Sequence, residues 1–210
     1  MTPTRTDAPP RVARDARTRE ARRDALAESA LTTLGTLGYA RTSLREIAAN
    51  SEFSHGVVHY YFRDKTELIT YCVRYYKARC VHRYDAVVDD SRTAPQLLEA
   101  FSDKLVETLV DDAPMHRLWY DLRTTSMFEE ALRPDVVAID ASLQDMVWRV
   151  VSRYAELSGR GLVVTPGVVY AMLDGVFERA LLRHLAGESG ALDDLRGAVL
   201  GALPLLLHAG

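Results

Sequence analysis

Thr42-Ser-Leu-Arg-Glu-Ile-Ala48, Phe53-Ser-His-Gly-Val-Val58 and Tyr60-Tyr-Phe-Arg-Asp-Lys65-Thr-Glu-Leu68 follow one another within a single stretch of this 210-residue chain. Ser43 and Glu46 have the spacing of a capping box, in which the hydroxyl accepts from the third backbone N–H and the carboxylate reaches back. The spacing predicts a short helix ending near Asn50, with Leu44, Ile47 and Ala48 turned inward. Ser51-Glu52-Phe53 makes a tight connection. Ser54 is the N-cap of another short helix through Tyr60. Asp64 and Glu67 repeat the capping-box spacing and open a long helix through Leu68, Cys72, Tyr75, Tyr76 and Val81 towards Val87.

Two short helices joined by a three-residue turn have the size and spacing of a helix-turn-helix. A helix that enters the major groove must be slim, present donors in its first turn and turn its positive dipole end to phosphate. Ser54, His55, Gly56, Val57 and His59 meet that description. Gly56 permits close backbone approach, Val57 can touch a thymine methyl, and Ser54 and His55 can hydrogen-bond base edges or phosphate. Tyr60 and Lys65 follow where a helix leaving the groove crosses the sugar-phosphate backbone. Phe62 and Tyr61 read as core aromatics.

Outward from this stretch, residues 1–16 combine Pro3, Pro9 and Pro10 with Arg5, Arg11 and Arg14 and read as a flexible basic arm. Arg11, Arg14 and Arg17 would either touch phosphate or minor groove, or be solvated. A helix is predicted from about Arg17 to Gly38, with Leu26, Ala30, Leu34 and Leu37 on one face. Charge is uneven. Residues 1–65 carry 11 Lys+Arg against 8 Asp+Glu, a net of +3, whereas residues 66–210 carry 15 against 21, a net of −6. The basic excess sits at the end that would meet a polyanion. Downstream, helical periods run over Pro95–Leu109, Met115–Met127 and Asp135–Leu157. Another starts at Thr165-Pro166, and a last one runs from Leu192 to Leu206. No segment alternates with period two, so the fold class is all-α.

The motif residues, with several positions agreeing at once over about residues 17–70, resemble the N-terminal DNA-binding domain of TetR-family regulators. That resemblance implies a three-helix helix-turn-helix domain over 17–64. A long helix joins it to a C-terminal helical bundle over 65–210 for effector binding and dimerisation. It implies a transcriptional repressor that binds a palindromic double-stranded DNA operator as a homodimer and is released by an unidentified small-molecule effector. Carried over by position, Ser43 and Arg45 contact the DNA backbone. Ser54, His55, Gly56 and Val57 face the groove, and His59, Tyr60 and Lys65 anchor the helix. Two positions depart from the family pattern. Glu52 stands where Gly is usual and would be strained if the backbone there needs positive φ. His59 stands where Tyr is frequent, which makes its phosphate contact pH-dependent.

In the C-terminal half, Tyr75, Phe101, His116, Trp119, Tyr120, Arg123 and Trp148 form the candidate effector set. They would make an apolar cavity with a few polar anchors. Arg123 is the candidate anchor for an effector carboxylate, or else a salt-bridge partner of Asp121 or a neighbouring helix. The last two helices are apolar over a wide arc. Val169, Leu173, Val176, Phe177 and Leu181, with Leu195, Val199 and Leu203, would be exposed on a monomer and read as the dimer interface. A twofold four-helix seam would hide them and set two recognition helices about 34–36 Å apart.

Other classes find little support. No Gly-rich phosphate loop, Gly-x-Ser-x-Gly elbow or His-Glu-x-x-His is present, so neither an enzyme nor a cofactor is expected. His55 and His59 lack a third ligand, so no metal is expected. Cys72 and Cys80, on one helix, would lie roughly 12 Å apart, too far for a disulfide. The longest apolar run, Ala198 to Leu207, is far short of the roughly 20 residues of a membrane span, and no signal peptide is visible. A cytoplasmic location is expected. The remaining alternatives are an activator, a regulator answering to a protein partner, and a helical-bundle enzyme.

Overall fold

In the computed structural model, residues 11–209 are described, with side chains from Arg17 onward. The first ten residues of the expected arm lie outside the described residues. The chain divides into two units, Met1–Tyr75 and Tyr76–Gly210.

The first unit holds α1 (Arg11–Arg41), α2 (Leu44–Ala49), α3 (His55–Tyr61) and most of α4 (Lys65–Cys80). Helix α1 begins at Arg11 rather than Arg17. Pro9-Pro10 can precede a helix, and the Arg- and Ala-rich residues after them are good helix formers. Residues 11–16, expected as part of the arm, are therefore helical. Leu26, Ala27, Ala30 and Leu34 are fully buried along α1, and Ile47, Val58, Leu68 and Ile69 close the core against them. Phe62 packs edge-on to Tyr71, with ring centroids 5.5 Å apart. Arg23 covers both rings at 4.7 and 4.5 Å while pairing with Glu67 at 3.3 Å.

Regular helix in α1 stops at Gly38, which has φ 76° and ψ 174°, a region open essentially to glycine alone. Replacing Gly38 with alanine should lower the opening free energy of α1–α3 amides by about 1–3 kcal/mol. Hydrogen exchange resolved by residue measures this, and unchanged protection would show that the turn relaxes without cost.

The second unit consists of the end of α4 followed by α5 (Asp85–Asp90), α6 (Ala94–Asp111), α7 (Ala113–Thr125), α8 (Arg133–Ser158), α9 (Pro166–Leu185) and α10 (Ala191–Ala202). Helix α4 ends at Cys80 rather than near Val87. The chain turns there, with Arg83 N donating to Cys80 O and Asp85 N to His82 O. The turn lets Tyr84 bury against Phe101, at 5.1 Å between ring centroids. Thr93 caps α6 through its hydroxyl, Pro166 occupies the first turn of α9, and Gly159, with φ 64°, ends α8 in the left-handed conformation.

Helix α10 packs on both α6 and α9, and α9 also packs on α8 and α7. This double packing corrects the expected dimer set. Val169, Leu173, Phe177, Leu181, Leu195, Val199 and Leu203 are all buried within the single chain, and Val176 is half-buried. The wide apolar arc of these positions reflects helices with neighbours on two sides of the same subunit.

Candidate nucleic-acid interface and ligand cavity

The Ser43 capping box is complete: Glu46 N donates to Ser43 Oγ at 3.2 Å and Ser43 N donates to Glu46 Oε2 at 2.8 Å. In the connection, Phe53 N donates to Ser51 Oγ at 3.2 Å, and Phe53 is buried. No non-glycine described residue has positive φ, so Glu52 is unstrained and simply exposed, contrary to the concern raised by its position. Ser54 caps α3, accepting from Val57 N at 3.3 Å. Its hydroxyl oxygen is thereby engaged, while its own proton stays available.

Val58 is the buried side of α3, and the opposite side is open. His55, Gly56, His59 and Tyr60 are exposed there, Tyr60 at 71 %, and Val57 is half-buried. The His55 and His59 rings stand edge to face 4.4 Å apart. Arg19 lies 6.0 Å from the Tyr60 ring, and Arg45 is exposed on α2. Lys65, half-buried, is not a free-swinging cation: Nζ lies 4.2 Å from the Tyr39 ring and 3.5 Å from the Ala40 carbonyl. Its charge is therefore fixed in place at the start of α4. The second capping box forms only in part. Glu67 N donates to Asp64 Oδ1 at 2.8 Å, but the Glu67 carboxylate accepts from Arg63 N at 3.0 Å instead of from Asp64. That backbone donor, together with the Arg63 and Arg23 guanidiniums, holds Glu67 below the usual carboxylate range despite some burial.

The second unit holds a partly open cavity of about 80 Å³. Of the expected effector residues, Phe101, His116, Trp119 and Tyr120 line it. Three do not. Tyr75 belongs to the first unit and Trp148 lies off the lining. Arg123 also stands outside, pairing with Asp174 and lying 3.6 Å from Asp140. Its partners are on neighbouring helices, α9 and α8, so its guanidinium is not offered to a ligand carboxylate. Leu173 and Phe177, expected at the dimer interface, face the cavity instead.

Sequence reading missed Lys77, Arg83, Tyr170 and Asp174, which also line it. Arg83 pairs with Asp112 and donates to Tyr76 Oη at 3.3 Å. Asp174 accepts from Arg123 and from Tyr120 Oη, the latter at 3.1 Å. Tyr170 Oη donates to Asp140 at 2.9 Å. His116, buried edge-on to Phe177, is held neutral: burial above all, then the charges of Lys77 and Arg83, bring its pKa down to about 3. Its Nε2 lies 3.2 Å from the Thr108 carbonyl and 3.5 Å from Arg83 Nη1. Lys77 is 5 % exposed, and desolvation lowers it to about 8. The one sequence signal for it was a lysine on the apolar stripe formed by Ile69, Val73 and Cys80.

Among the described residues no group of three or more His, Cys, Asp or Glu side chains could hold a metal ion, and no helix is long and apolar enough to cross a membrane. Residues 26–72 match the family described as bacterial regulatory proteins, tetR family. Among curated proteins none matches the chain in sequence. Solved structures share its fold at low identity. A Rhodococcus sp. protein classed as a TetR-family transcriptional regulator is 21 % identical, with a TM-score of 0.70 over 89 % of this chain and 98 % of that one. The transcriptional regulator FadR from Bacillus subtilis, in complex with stearoyl-CoA, is 16 % identical, with a TM-score of 0.69 over 88 % and 98 %. A Saccharomonospora viridis protein classed as a transcriptional regulator, in complex with choline, is 16 % identical, with a TM-score of 0.72 over 91 % and 100 %. The helix-turn-helix built on Ser43, Ser54 and Lys65 lies within the segment that matches the tetR family of bacterial regulatory proteins, and the chain as a whole shares the fold of the Rhodococcus protein.

Proposed function

We propose that the protein is a transcriptional repressor that binds a palindromic DNA operator as a homodimer and is released by a small molecule held in the second unit. The observation that carries the reading is the open face of α3. Its capped N-terminus, exposed His55 and Gly56 and half-buried Val57 present donors and an apolar contact together, with Tyr60 and the fixed Lys65 beside them. The +3 charge of residues 1–65 supports it. Helix α4 carries Lys65 in the first unit and Lys77 in the second, so a ligand that favours one setting of α4 changes operator affinity by its differential binding to the two states.

Pairing of two copies is supported by the outward side of the last two helices, at positions other than those first expected. Val168, Ala171, Gly175 and Leu182 on α9 are exposed, as are Gly197 and Ala198 on α10 and Leu205 just beyond it. A Cβ placed on Gly175, Gly197 or Gly201 would meet nothing within 4 Å. Small residues beside exposed Leu allow two helix pairs to approach closely.

Selection of bound duplexes from a random pool tests the reading, and a twofold-symmetric site is expected. Substituting His55 with alanine should relax preference at one or two base positions. Substituting Lys65 with alanine should weaken all duplexes alike and reduce the salt slope by about 1. Absence of any preferred sequence, or a Lys65 variant with an unaltered salt slope, would refute the interface assignment.

A further inference from the structure

The two ligand-bound relatives hold a cation in one case and an acyl-CoA in the other, so the shared fold leaves open the charge of what this cavity accepts. The charges around the cavity answer it. Arg83 is matched by Asp112, and Asp174 by Arg123 and the Tyr120 hydroxyl. Both pairs are satisfied within the protein.

Lys77 is not. Its Nζ sits 4.8 Å from the Trp119 ring and 5.8 Å from the Tyr76 ring, and no carboxylate of the described residues lies within ion-pair distance. Beside it, Trp119 Nε1 is buried with no hydrogen-bond partner among the described residues. A buried ammonium with only aromatic faces for company is costly unless something neutralises it. Opposite these donors the lining is apolar, with Phe101, Leu105, Leu143, Val147, Leu173 and Phe177.

We infer that the cavity binds a compact organic monoanion, a hydrophobic carboxylic acid, whose carboxylate pairs with Lys77 and whose apolar body lies among those side chains. The inference rests on the effector reading above and gives the effector its chemical class. One unmatched positive charge asks for one negative charge. The sheltered volume sets the scale of the body: at about 10–15 Å³ for each water it has room for roughly six waters, comparable to benzoate or hexanoate, and a longer chain would extend through the open side. A quaternary ammonium is disfavoured: the aromatic rings that would receive it already face Lys77, and Asp174 is engaged.

The groups facing Lys77 are Tyr76 and Cys80 on α4, Arg83 and Tyr84 after it, Asp112, His116 and Tyr120 around α7, and Asp174 on α9. Burial pushes Tyr84 up to about 12 and lifts Tyr120 further, while His116 stays neutral. With Lys77 near 8 when the cavity is empty, acid binding should be flat below neutrality and weaken about tenfold from pH 7 to pH 9, as the free ammonium loses its proton.

The test uses the full-length protein and calorimetric titration with hexanoate, octanoate, benzoate and phenylacetate. Each is paired with its primary amide, and benzyltrimethylammonium represents the cations. At least one acid is expected to bind ten or more times tighter than its amide at pH 7. In K77M and K77Q the acid and amide should bind within about twofold of each other, and the pH dependence should vanish, which also separates Lys77 from Cys80. If no acid exceeds its amide, if the preference survives both substitutions, or if the cation binds best, the inference is overturned. Operator release by the same compounds is followed in parallel on a selected duplex. Acids that bind yet leave the DNA complex intact would sink the effector reading while leaving the ligand class standing. Release by neutral or cationic compounds alone would do the reverse.

Discussion

Replacing Lys77 with methionine is expected to stabilise the second unit by about 3 kcal/mol at pH 7, an unusual result for a buried position. The sign follows from the proton balance. Lys77 has a folded pKa of about 8, below its ordinary value of 10.5, so the unfolded chain binds the proton more tightly. Stability therefore rises with pH between about 8 and 10.5, and the full cost of the buried charge is present at neutral pH and below. Methionine keeps the length and fills the same space without the charge. Its advantage should shrink to about 1 kcal/mol by pH 10. Both tryptophans, Trp119 and Trp148, lie in the second unit, so urea unfolding followed by tryptophan fluorescence reads this unit selectively. A methionine variant less stable than the parent at pH 7 would mean that the ammonium is matched by a group not accounted for. A charge retained at such a cost fits a binding site better than a core.

The second large effect is acid sensitivity centred on His116. Its folded pKa of about 3 lies well below the ordinary 6.5, so its neutral form supports the fold above pH 6.5, and that support is lost as pH falls towards 3. Between pH 7 and pH 4 the loss should amount to about 3 kcal/mol. Substitution with glutamine removes the ring that packs on Phe177 and so lowers stability at pH 7. It should nonetheless abolish that share of the acid loss. The measurement is the difference between parent and variant in the same fluorescence-monitored urea series at pH 4, 5, 6 and 7. Parallel curves would show that His116 is not the titrating group, whatever other carboxylates contribute.

The two substitutions act within the same small volume. His116 is held neutral partly by Lys77, so removing the lysine charge should move the His116 transition to higher pH and make the acid loss smaller. A double substitution that simply adds the two effects would argue that the residues are electrostatically independent.

What could be read from residues alone was local. Capping at Ser43 and Ser54, the glycine stop at Gly38 and the inward faces of α1 and α2 each depend on contacts within a few positions of the chain. Those short-range patterns carried the helix-turn-helix and, with it, the family match over residues 26–72. Partners distant in sequence stayed hidden. Arg123 could be read equally as a ligand anchor or as a salt-bridge partner because Asp174 lies 51 positions further on, and the apolar arcs of α9 and α10 looked like a subunit interface because helical period reports burial without saying against what. Lys77 could be noticed as a misfit on an apolar stripe, but only packing left its ammonium without a carboxylate while Arg83 and Asp174 found theirs. The distinction is one of range. Caps and periods are written in neighbouring residues, whereas the charge balance of a cavity is the sum over five or more helices that meet only once the chain has folded.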